Sequence, residues 1–113
     1  MEVLVLVLNQ PDYLDNILEG FLLAGLRGAT VIQTTGMGRT LCEKVPLFGG
    51  IRSILQGCRP DNLTVFTVVR NQEMREKAID VIKENLGDLS QPNTGFLFCV
   101  PVSTAMGFAE SLI

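Results

Sequence analysis

Residues 3–8 read Val-Leu-Val-Leu-Val-Leu, and the way those side chains are shared between two faces decides the fold. Six apolar residues in succession, half of them β-branched, read as a strand. The run follows Glu2 and is too short for a membrane span or a secretory signal. In a sheet with one wet face, apolar and polar residues alternate. Here they do not, and two later runs behave the same way: Leu63–Val69 (Leu-Thr-Val-Phe-Thr-Val-Val) and Gly95–Val102 (Gly-Phe-Leu-Phe-Cys-Val-Pro-Val).

The segments between them carry helical spacing. Pro11 ends the first strand, Asp12 is a candidate N-cap with Asp15 three residues on, and Leu14, Ile17, Leu18, Phe21 and Leu22 form one face. Gly25 is placed to close that helix. Ala29–Thr35 reads as the second strand. Asn71 is a candidate cap for a second helix with Met74, Ala78, Ile82 and Leu86 on one side and Gly87 at its end. Residues 88–94 read as a loop, and the tail from Ser103 as a short helix. Residues 36–60, rich in glycine and cations, read as a long excursion.

The order β-α-β, excursion, β-α-β predicts one α+β domain over residues 1–113. It is a ferredoxin-like βαββαβ sandwich, with a four-stranded antiparallel sheet and two helices on one face. Two helices cover one sheet face only. The apolar second face therefore predicts an obligate oligomer.

Composition excludes several functions. The 113 residues carry a formal net charge of −3, with no basic footprint for nucleic acid. Histidine is absent, which removes the commonest general base and metal ligand and rules out Ser-His and Cys-His systems within the chain. Cys42, Cys58 and Cys99 have no metal-ligand spacing and read as reduced thiols in a cytoplasmic protein. Glu73, Glu76, Asp80 and Glu84, interleaved with Arg75, Lys77 and Lys83, read as a solvated helix face. No catalytic or metal-binding residue stands out.

Three segments are candidate sites. Gly36-Met37-Gly38-Arg39 combines backbone N–H groups that an anion can approach with a guanidinium fork; a flexible strand end would read the same way. The excursion carries Lys44, Leu47, Phe48, Gly49, Gly50 and Arg52, suited to a partner-binding loop or to a solvated hairpin. Asn93-Thr94-Gly95 is a second anion nest or an ordinary turn.

Taken along most of its length, the chain resembles the PII signalling proteins, the nitrogen regulatory family. The resemblance lies in the first strand and Pro11, in Ala24-Gly25-Leu-Arg-Gly28-Ala-Thr30-Val31, in Gly36-Met-Gly38-Arg39 leading into a long loop, and in Gly95-Phe-Leu-Phe-Cys-Val-Pro101-Val102. It implies a homotrimer that binds an adenine nucleotide (ATP, ADP or AMP) in clefts between subunits. Residues 40–60 would report the bound state to a regulated transporter or enzyme, with no membrane insertion and no enzymatic activity. Carried over by position, Gly28 and Thr30 would lie near the adenine, Gly36, Gly38 and Arg39 near the phosphates, and Thr94 and Gly95 would approach from the loop before the last strand.

The chain also departs from the family. Phe96 stands where the family has a lysine, Thr40 where it has a glutamine, and residues 105–113 hold no cation. Charge-assisted bonds contribute about 1.5–3 kcal/mol each, so these losses lower the expected affinity for a triphosphate and leave a less charged nucleotide, another small ligand or no ligand open. The rival readings are a small oligomeric ferredoxin-fold enzyme and a metal-tolerance protein of the CutA type.

Overall fold

The computed structural model describes residues 1–26, 28–37, 61–91 and 94–107. The elements follow the predicted order: β1 (Glu2–Leu8), α1 (Leu14–Leu23), β2 (Thr30–Thr34), β3 (Asn62–Val69), α2 (Gln72–Leu86) and β4 (Gly95–Pro101). The sheet order is β2-β3-β1-β4, and every neighbouring pair is antiparallel. β1 and β2 are thus parallel with β3 between them, and β3 and β4 are parallel with β1 between them. Two split βαβ units interlock, which is the ferredoxin-like α+β sandwich.

The alternation within β1 sorts the two faces. Leu4, Leu6 and Leu8 are fully buried, against Ile17 and Phe21 of α1 and Ala78, Ile82 and Leu86 of α2. In register with them, Val65, Thr67, Leu97 and Cys99 share this inner face. Thr67 is the polar member. Its hydroxyl donates to the Gly28 carbonyl at 2.7 Å, so it is buried without an unmet hydrogen bond. The helices touch closely where Gly20 faces Val81: a Cβ at Gly20 would fall 2.5 Å from Val81 Cγ1. Glycine there sets the helix spacing.

The helix ends repeat the expectations with one correction. After α1, Gly25 has φ +99°, the Leu26 N–H donates to the Phe21 carbonyl and the Gly25 N–H to that of Leu22. This is a Schellman closure, completed by the buried pair Phe21 and Leu26. Asn71 caps α2 by accepting the Met74 N–H at 2.8 Å. Replacing Asn71 with Ala is expected to cost about 1 kcal/mol, read as a lower urea midpoint with unchanged slope. Asp12, however, is not a cap. Pro11–Tyr13 form a 3-10 turn, and Tyr13 precedes α1 without a side-chain cap. Pro11 begins that turn because its fixed φ suits a first helical position, so Asp12 lies inside the turn rather than before the helix.

The last strand ends at Pro101, and residues 103–107 are irregular rather than helical. No helix among the described residues is long and apolar enough to cross a membrane.

Candidate functional site

The outer sheet face is the one the two helices leave uncovered. Val3, Val5 and Val7 of β1 line up with Phe66 and Val68 of β3, and with Phe96, Phe98 and Val100 of β4. Ile32 extends the row onto β2. None of these positions is charged. Phe96 is 61% exposed, Ile32 45%, Val100 42% and Phe98 41%. The Phe96 and Phe98 rings sit 5.5 Å apart in a tilted pair. Val5, at the centre of the face, is only 6% exposed, so most of the exposed apolar surface lies on the edge strands, on Ile32, Phe96, Phe98 and Val100.

One corner of it is polar. The Thr34 hydroxyl meets the Asn62 side-chain carbonyl and lies 2.8 Å from the Thr64 hydroxyl. Just beyond, Thr35 donates to Asp61 Oδ1 at 3.0 Å. These bonds tie the end of β2 to the start of β3, where Gly36 leaves the sheet.

The structure places the candidate ligand residues on opposite edges. Thr30 lies on edge strand β2, with Gly28 just before it and Gly36 just after, whereas Thr94 and Gly95 begin edge strand β4. Gln33, Leu63, Leu8 and Gly95 share one row across the sheet, so Gly36 and Gly95 lie at the same end. Three strand spacings still separate the edges, about 14 Å. One protomer does not gather these residues around one small ligand. Gly38, Arg39, Lys44, Leu47, Phe48 and Arg52 lie outside the described residues, as does the whole 40–60 loop.

Local geometry then separates the glycines. A Cβ at Gly95 would come 2.9 Å from the Val7 carbonyl oxygen, so β4 starts with glycine to let two backbones approach. A Cβ at Gly28 would meet nothing within 4 Å, and one at Gly36 only the Asn62 side-chain nitrogen at 3.4 Å. Neither has a positive φ. Among the described residues, nothing close to Gly28 or Gly36 requires either to be glycine. Thr94 is buried; its hydroxyl donates to the Gln91 carbonyl at 2.9 Å, and its own carbonyl accepts the Asn9 N–H at 3.3 Å. Thr30 is exposed on the apolar face.

Charged groups form a separate system. Arg75 does not stay on its helix: it reaches Glu2 at 2.6 Å, as well as Glu76 at 3.6 Å, and so pins α2 to the start of β1. The bond to Glu2 pushes the guanidinium pKa further up. Lys77 and Glu73 pair at 3.4 Å on the helix surface, as their spacing predicts. Burial pushes the Cys99 thiol up, away from thiolate at neutral pH. At the end of α2, Ser90 donates its N–H and hydroxyl to Asp88 and holds that carboxyl below the usual range. The same turn carries Leu89 at φ +64° and leads the chain towards Thr94. Among the described residues no group of three or more Cys, Asp or Glu could hold a metal ion. No family model matches the chain, and no curated protein matches it.

Proposed function

We propose that this chain is a PII-like regulatory protein. It works as a homotrimer, takes a small ligand, an adenine nucleotide, between subunits, and presents residues 40–60 to a regulated protein. One observation carries the reading. The sheet leaves an uncharged apolar face open, and the residues expected at the ligand lie on the two opposite edges of that sheet. Packing the open faces of several copies together buries the apolar surface. The same packing carries edge β4 of one copy towards edge β2 of the next, so a cleft is completed only between subunits. Gly28 and Gly36, which nothing among the described residues requires, supply backbone that a ligand can approach closely.

The ligand is of low charge. The four strands carry no cation on the open face, and Phe96, next in sequence to Gly95, is exposed there. AMP and ADP therefore fit better than ATP. Occupancy acts by favouring one arrangement of residues 40–60 over others, as a population shift.

The test is thermal unfolding of the purified protein with AMP, ADP and ATP, with and without Mg²⁺. A ligand at 100 times its Kd stabilises by about 2.7 kcal/mol, a shift of several degrees. Loss of that shift in Arg39→Ala supports a phosphate turn at Gly36–Arg39. No shift with any of the three nucleotides rejects the ligand assignment.

A further inference from the structure

We propose that the outward face of α1 docks a cationic amphipathic helix from a partner protein. At about 100° per residue, Asp15, Asn16, Glu19, Leu22 and Leu23 fall within one sector of about 120°, opposite the buried Ile17 and Phe21. All five are exposed.

Two features of this sector are unfavourable for an isolated protein. Leu22 is 56% exposed and Leu23 82%, side by side at the end of the helix. Asp15 and Glu19 are like charges at i and i+4, which weakens a helix. Asp12 precedes them in the 3-10 turn, and residues 9–26 contain no lysine or arginine. Among the described residues no ion pair involves Asp12, Asp15 or Glu19. The helix N-terminus compensates the first-turn acids in part, but it leaves Glu19 and the two leucines unexplained. The neighbouring helix is built differently: α2 interleaves Glu73, Glu76, Asp80 and Glu84 with Arg75, Lys77 and Lys83.

The chemistry selects the occupant. A surface that is acidic at one end and leucine-rich at the other matches a helix with lysine or arginine beside one turn and apolar residues beside the next. The described surface of a second copy of this chain is a poor match. Its open sheet face is uncharged, and its α2 carries more acids than bases. Acidic lipid and nucleic acid are repelled.

The test uses the full chain and a fluorescein-labelled synthetic helix of Lys and Leu in amphipathic order, with binding read as anisotropy. A scrambled peptide of equal composition is the control. The ordered peptide is expected to bind and the scrambled one to bind about tenfold more weakly or not at all. Asp15→Asn with Glu19→Gln, and separately Leu22→Ser with Leu23→Ser, are each expected to weaken binding about tenfold, equivalent to ~1.4 kcal/mol. Glu73→Gln with Glu84→Gln removes equal charge from α2 and is expected to change nothing. Equal binding of the scrambled peptide, or an equal loss from the α2 variant, reduces the effect to net charge and overturns the proposal. So does a change in the protein's own sedimentation on Leu22→Ser with Leu23→Ser, which would assign the face to a second copy.

Discussion

Phe98→Glu is expected to convert the proposed oligomer into a folded monomer. Phe98 lies mid-strand on the open face of β4, in register with Val5. It is 41% exposed in the protomer, so a carboxylate there can reach water while the chain is alone. In an assembly that buries this face, the same carboxylate meets Val, Ile and Phe side chains and no cation. Burying an unpartnered charge costs several kcal/mol after relaxation. Because each 1.4 kcal/mol is a factor of ten, association falls by a hundredfold or more. Sedimentation velocity reads the loss directly, and far-UV circular dichroism checks that the fold survives. A wild-type chain that sediments as a monomer, or a variant that stays assembled, would falsify the role given to the sheet face.

The sequence made this face legible because residues 3–8 of β1 contain no polar residue to mark a wet side. Valine at 3, 5 and 7 and leucine at 4, 6 and 8 put apolar side chains on both faces, and the two helices cover one of them. Gly25 and Asn71 were equally readable, since both act through backbone geometry within a few residues of themselves. Asp12 misled because a 3-10 turn and an α-helix start with similar residues, and Pro11 moved the start of the regular helix past it.

Long-range pairings left no local mark. Nothing around Glu2 announces Arg75, and nothing around Thr67 announces the Gly28 carbonyl. The candidate ligand residues were similarly opaque: Asn93-Thr94-Gly95 has the composition of an anion nest, yet Thr94 is buried with its hydroxyl committed to Gln91. That two groups of candidates lie on opposite edges follows from strand order, which depends on pairing between distant segments.

Gly95→Ala and Gly28→Ala are expected to have opposite effects, and the contrast separates fold from function. At position 95 the new methyl would lie 2.9 Å from the Val7 carbonyl, with Leu6 and Leu86 side chains at 3.7 Å. Backbone cannot turn aside as a side chain can. β4 must draw away from β1 at its first residue, where Leu8 pairs with Gly95. Overpacking of this kind costs about 1–3 kcal/mol, and for a domain of this size each kcal/mol lowers Tm by about 4 °C. At position 28 the methyl meets nothing within 4 Å among the described residues, and an alanine there also restricts the unfolded chain. Its expected effect on Tm is neutral to slightly stabilising. With ligand the order reverses. If Gly28 is kept small so that a nucleotide can lie against its backbone, Gly28→Ala removes most of the ligand-induced rise in Tm. Gly95→Ala then keeps a normal rise from a lower baseline. A Gly28→Ala protein with an undiminished nucleotide shift would remove Gly28 from the cleft, and a Gly95→Ala protein of wild-type Tm would show that β4 can open without cost.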